Sequence, residues 1–177
     1  GRIRAGVLEH GFAALMREAQ CGERMDREGE IHEGFFIAHD GLMDRVDLHK
    51  YSGGSSVVVY GQTELTRDLY EARDRMNGQV IHNAEDVQPH ELTSATPYVT
   101  YRKGDEVVRI ACDYVIGADG SHGVSRKSIP KGVLREYEKV YPFGWLGVLS
   151  RTKPVSPELI YARHERGFAL CSLRSQV

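Results

Sequence analysis

Apolar residues recur along this chain with two different spacings. In "GRIRAGVLEHGFAALMREA", Leu8, Phe12, Leu15 and Met16 fall at i, i+4, i+7 and i+8, which predicts one helix stripe after a glycine–arginine opening. "EIHEGFFIAHDGLMDRVDLHKY" reads as two strands around Asp40-Gly41, a pair that favours tight hairpin turns. After the loop "SGGSS", the run "VVVY" is a short β-branched strand. "GQTELTRDLYEARDRM" returns to helical spacing, with Leu65, Leu69, Ala72 and Met76 on one face. "QVIHNA" predicts a strand, and "PYVTYRKGDEVVRIACDYVIGAD" two or three more, with a turn at Lys103-Gly104-Asp105. Beyond Pro130-Lys131-Gly132, "GVLREYEKVYPFGWLGVLS" opens a strand-rich region, and "ELIYARHERGFALCSLRS" a hairpin turning near Glu165. Short apolar strands feeding helices predict an α/β layer followed by a mainly antiparallel sheet.

Composition narrows the class without naming a chemistry. At 177 residues the chain is one domain, or one and part of another. Its 41% hydrophobic and 27% charged content is that of an ordinary globular protein, and a net charge of -2 gives no electrostatic case for nucleic acid or an anionic membrane. No apolar run approaches the ~20 residues of a membrane span. Cys21, Cys112 and Cys171 lie far apart without zinc-like spacing, as in a reduced, cytoplasmic protein. No GxSxG elbow and no close histidine–acid ligand set is visible. The chain starts at Gly1, which suggests a fragment.

Three junctions carry unusual polar residues. Arg2 to Val7 joins two arginines to a small-residue loop before a helix, a setting suited to phosphate, although two solvated arginines would look the same. At Tyr60-Gly61-Gln62-Thr63, Thr63 is the expected N-cap, while Gln62 could offer a donor and an acceptor to a ligand. In "YVIGADGSHGVSR", Tyr114 to Arg126, an apolar strand ends in Asp119-Gly120. Ligands of open α/β sheets gather at such strand ends. Asp119 could accept from a ribose hydroxyl while His122 and Arg126 face phosphate, or it could cap the next segment and pair with Arg126.

"CDYVIGADGSHGVSR" resembles the Asp-Gly fingerprint of FAD-dependent aromatic hydroxylases, and "GRIRAGVLE", "VYGQTELTRDL", "YPFGWLGVLS" and "ELIYARHERGFALCSLRS" extend the likeness along the chain. Glycine at 123, where serine is commoner, resembles the branch acting on 4-hydroxybenzoate. The resemblance implies a mixed α/β fold: part of a Rossmann-like FAD-binding domain over residues 1–133, then the start of a mainly antiparallel substrate-binding sheet over 134–177. It also implies hydroxylation of 4-hydroxybenzoate to 3,4-dihydroxybenzoate, with FAD as cofactor and NAD(P)H as cosubstrate. Arg2, Ile3, Arg4, Ala5, Gly6 and Val7 would line the FAD, with Gln62 bonding it and Asp119 supporting it. His122 and Arg126 would receive the pyridine nucleotide. Tyr161, Ser172, Leu173 and Arg174 match substrate-binding positions, and His32 the far end of a proton path from the substrate phenol.

The partners implied are a small aromatic acid and O₂, with no nucleic acid or membrane, and a homodimer is left open. The family's GxGxxG loop, its later Gly-Asp fingerprint and a second tyrosine of the proton path are not in this sequence, so the stretch alone should not be a competent enzyme. Two rivals remain: a non-catalytic module on the same scaffold, and a hydroxylase of another aromatic acid. In the hairpin, alternation places Tyr161 opposite Leu170 and puts Phe168, Leu170, Ser172 and Arg174 on one face. A bound carboxylate would satisfy Arg174 there; an arginine leaving the sheet edge for solvent is the alternative.

Overall fold

The apolar stripe read into the first helix divides between two elements. Residues 6–173 are described by the structure, a computed structural model. Val7–Leu8 is a short strand, β1, and the helix α1 covers His10–Glu18. Leu8 is taken by backbone pairing, opposite Val58 of a later strand. The helix then buries Ala13 and Met16, while Phe12 and Leu15 stay 40% and 56% exposed.

α2 (Glu23–Glu28) and β2 (Glu30–His32) lead to the expected hairpin of β3 (Gly34–His39) and β4 (Leu42–Asp47). Asp40 and Gly41 have φ of 49° and 80°, the left-handed pair that a two-residue I′ turn requires. α3 (Leu48–Tyr51) is capped by the Asp47 carboxylate, which accepts from the Lys50 N–H at 2.9 Å. Strand β5 (Val57–Val59) then feeds α4 (Gln62–Arg75). The inward face of α4 is Leu65, Asp68 and Ala72; Leu69 and Met76 are exposed. An aspartate displaces the predicted leucine because it has buried partners, described below.

Residues 80–144 form a separate compact unit. Its sheet, β6 (Glu85–His90), β7 (Tyr98–Lys103) and β8 (Glu106–Ala111), is antiparallel in that order. "QVIHNA" forms no strand: Asn83 and Asp86 adopt positive φ of 56° and 51°, and pairing begins only at Glu85. Gly104, at φ 63°, makes the predicted turn. The strand expected over Tyr114–Asp119 does not form either, nor do those expected over 132–150. A strand exists by pairing, and no described strand pairs with these stretches; Tyr114 and Ile116 are both 88% exposed. A short helix, α5 (Val124–Lys127), follows the Asp-Gly turn.

Residues 145–177 belong with 1–79. They supply β9 (Leu159–His164) and β10 (Gly167–Cys171), the predicted hairpin, with Tyr161 opposite Leu170 as expected. β9 also pairs in parallel with β3, giving a sheet ordered β10-β9-β3-β4 beside an antiparallel β1-β5-β2 sheet. The buried core of this unit draws on β1, β5 and the helices α1, α2 and α4. The fold is mixed α/β, as read from the sequence. No described helix is long and apolar enough to cross a membrane.

Candidate functional site

In the first unit the structure brings two of the three junctions together. Arg2, Ile3, Arg4 and Ala5 lie outside the described residues, but Gly6 and Val7 do not. The buried Gly6 carbonyl accepts the Tyr60 N–H at 2.7 Å, and Val7 lies opposite Val59, so this segment runs beside the strand that delivers Gln62. Thr63 is not the N-cap: α4 starts at Gln62, Gly61 is the cap two residues before Thr63, and no side chain closes the first turn. The half-buried Gln62 amide makes no hydrogen bond among the described residues. An uncapped helix start and an amide carrying both donor and acceptor form a set that fits the polar chain of a dinucleotide cofactor.

The start of α4 is held by a buried polar network that sequence spacing did not reveal. The Tyr60 hydroxyl donates to Asp68 at 2.7 Å, and Arg24 reaches Asp68 at 3.0 Å, Glu64 at 2.7 Å and Glu71 at 3.2 Å. Burial, then the Asp68 bond, pushes the Tyr60 phenol well above its usual range. Arg24 lies 40 or more positions along the chain from Glu64 and Glu71, beyond any local pattern.

His32 ends β2 opposite Val57 and is buried, at 1% exposure. Neither ring nitrogen has a hydrogen-bond partner among the described residues. Burial pushes the imidazole below its ordinary value, while Glu158 and Glu30 offset part of the shift. With the folded value depressed below the unfolded ~6.5, the unfolded chain takes up the proton more readily. The stability contributed by neutral His32 is therefore full above that value and declines as pH falls below it. A His32→Gln protein should lose less of its urea midpoint than the parent between about pH 7.5 and about pH 5.5. Equal losses would contradict a buried neutral imidazole.

Tyr161 lies on an aromatic face of the β10-β9-β3-β4 sheet. Phe35 meets its ring edge-on at 5.3 Å between centroids, Phe168 lies tilted at 6.3 Å, and Trp145 packs edge-on to Phe168 at 5.7 Å. Tyr161 is 37% exposed and its hydroxyl makes no hydrogen bond to a described residue. The alternation expected to carry on to Ser172 stops, because β10 ends at Cys171. The Ser172 hydroxyl instead donates to the Leu173 carbonyl at 3.2 Å, Leu173 is buried, and Arg174 lies outside the described residues. A free phenol beside apolar rings can hold an aromatic ligand and exchange a proton with it.

In the second unit, Asp119 and Arg126 share a cleft of about 670 Å³ with Gly120, Ser121, Ile129 and Leu134. Asp119 accepts the Ser125 N–H at 2.9 Å and so caps α5; this bond is the main reason its carboxyl lies below the usual range. Arg126 pairs with Glu136 at 3.6 Å, not with Asp119 as the local alternative supposed. His122 is exposed and does not line the cleft. Gly120 has φ of 72°, a backbone that favours glycine, and a Cβ at Gly123 would meet the Asp119 carboxylate in its present position. Glycine at 123 therefore lets the acid fold back onto the helix start.

Known proteins supply the context for these sites. The profile of the family described as "FAD binding domain" matches residues 1–177. The chain is 45% identical over 175 residues to p-hydroxybenzoate hydroxylase of Acinetobacter baylyi, a match that covers 99% of this chain and 43% of that protein. It thus spans less than half the length of that relative. Among solved structures, p-nitrophenol 4-monooxygenase from Pseudomonas putida DLL-E4 aligns with a TM-score of 0.58 over 71% of this chain and 33% of that one. At 13% identity that likeness speaks to the fold. The profile match over residues 1–177 and the 45% identity together show that this chain belongs to the FAD binding domain family.

Proposed function

We propose that the whole protein is a flavoprotein monooxygenase that hydroxylates 4-hydroxybenzoate to 3,4-dihydroxybenzoate, using NAD(P)H and O₂. The observation that carries this reading is the 45% identity, across nearly the whole chain, to a protein named p-hydroxybenzoate hydroxylase. The aromatic face around Tyr161 supports it. In this reading Gly6, Val7 and Gln62 hold FAD, preceded by Arg2, Ile3, Arg4 and Ala5, while Asp119 supports the cofactor and His122 and Arg126 receive the pyridine nucleotide. Bound FAD supplies the electron transfer and oxygen activation that no side chain can perform.

The chain's own residues bind and orient the substrate and manage its proton. Arg174 pairs with the carboxylate, Ser172 and Leu173 border it, and Tyr161 meets the phenol oxygen. A phenol is a stronger carbon nucleophile once deprotonated, so the Tyr161 hydroxyl acts by accepting that proton while passing its own onward. In this reading His32, held neutral by burial, stands at the far end of the path. Residues 1–133 contribute to the FAD-binding domain and 134–177 begin the substrate domain. The protein works in the cytoplasm, and a homodimer is compatible with this reading.

The test is NAD(P)H oxidation by the FAD-loaded full-length protein with a panel of hydroxybenzoates. Stimulation by the 4-hydroxy isomer, with 3,4-dihydroxybenzoate formed, is expected. Stimulation by another aromatic acid alone would move the substrate assignment. An FAD-free protein inert to every member of the panel would make it a non-catalytic module.

A further inference from the structure

Alternation in the β10-β9-β3-β4 sheet puts Gly34 and Phe36 of β3, Arg45 of β4, and Ile160 of β9 on the face opposite Tyr161. Glu158, one residue before β9, continues that row. Arg45 sits on β4 and Glu158 on the far side of β3, yet they meet in a two-pronged pair: Nε to Oε2 at 2.7 Å and Nη2 to Oε1 at 2.8 Å. Such fork-to-carboxylate pairs fix geometry as well as charge. The guanidinium crosses β3 at Gly34. A Cβ there would lie 2.7 Å from Arg45 Nη2, 2.8 Å from Cζ and 2.6 Å from the Val46 carbonyl oxygen. Only glycine leaves this passage open.

The Glu158 side chain is 14% exposed, so its carboxylate is shielded from water, and its backbone N–H donates to the Ser156 hydroxyl at 3.1 Å. The partners are 113 positions apart, and the pair ties β9 to β3 at the start of the only parallel strand pairing among the described residues. A slip of one residue in that register would send Tyr161 to the wrong face.

We propose that Arg45 is a positioning residue for hydroxylation: reaching Glu158 across the bare α-carbon of Gly34, it fixes β9 in register on β3 and holds Tyr161 on the face where the phenol binds. The proposal rests on the monooxygenase reading above for its catalytic consequence, though not for its geometry.

The experiment is a double-mutant cycle in the FAD-loaded full-length protein, with Arg45→Met, Glu158→Gln and both together. Two quantities are read: kcat and KM for hydroxylation of 4-hydroxybenzoate, and the fluorine resonance of 3-fluorotyrosine placed at position 161. Arg45→Met should keep FAD bound and leave KM within a small factor, while kcat falls about tenfold, the scale of a misplaced reacting group. The fluorine resonance should move. Glu158→Gln, which preserves shape, should change both in the same direction, and the double variant should be no worse than the poorer single one. Additive effects, or a kcat and a resonance equal to the parent's in both single variants, would overturn the proposal. If the parent hydroxylates nothing, the monooxygenase reading fails, and the fluorine resonance still decides the clamp.

Discussion

Tyr161→Phe in the full-length protein should leave FAD and 4-hydroxybenzoate bound while hydroxylation slows by about 10²-fold or more, the scale of one positioned proton-transfer group. The phenylalanine keeps the ring that packs against Phe35 and Phe168, so the sheet face and its apolar contacts survive. What is lost is one hydroxyl that has no hydrogen bond to any described residue and is therefore free to serve a ligand. Removing it strands no protein partner, so fold stability should change little. Substrate affinity measured by flavin absorbance, set beside product formed per unit time, separates the two effects. A variant with parental turnover would remove Tyr161 from the chemistry; one that fails to bind the acid would make it a binding residue only.

The largest stability effect is expected at Asp68. Asp68→Ala removes the acceptor of the buried Tyr60 hydroxyl and the most buried of the three carboxylates around Arg24. Taking one member from a buried ion pair costs about 3–5 kcal/mol, because the partner left behind has already lost its water. Glu64 and Glu71 still reach Arg24, so the lower end of that range is expected. Urea unfolding should show the midpoint fall accordingly. Tyr60→Phe, which leaves Asp68 paired with Arg24, should lose less, on the order of 1 kcal/mol. Because α4 presents Gln62 at its first turn, Asp68→Ala should also weaken FAD retention. A stability within about 0.5 kcal/mol of the parent would show that the network is incidental.

Local patterns were legible where local physics decides. Asp40-Gly41 and Glu165-Arg166 each link strands whose register follows from the turn, so both hairpins and the Tyr161–Leu170 pair could be read from spacing. Helix faces were less so. In α4 apolar periodicity favoured Leu69 and Met76, but the buried side is chosen by Asp68, whose partners come from β5's exit and α2. Strand pairing across long separations was not legible at all. β-type residues in Tyr114–Ile116 suggested a strand that has no described partner, whereas β9 gained one in β3 that no periodicity announces.

Candidate chemistry divided the same way. The Asp119-Gly120 turn could be read because both residue types are demanded by its backbone. The burial of His32 could not, because it depends on distant packing. The passage at Gly34 became meaningful only once Arg45 was seen lying across it.

The activity proposed for the whole protein is insertion of oxygen into 4-hydroxybenzoate. Its most direct test is a reaction of the FAD-loaded full-length protein with 4-hydroxybenzoate and NAD(P)H under isotopically heavy oxygen gas, followed by mass analysis of the product. One heavy oxygen atom in 3,4-dihydroxybenzoate, formed in proportion to the NAD(P)H consumed, is the predicted result. NAD(P)H consumption without that product, or product carrying only oxygen from water, would contradict it.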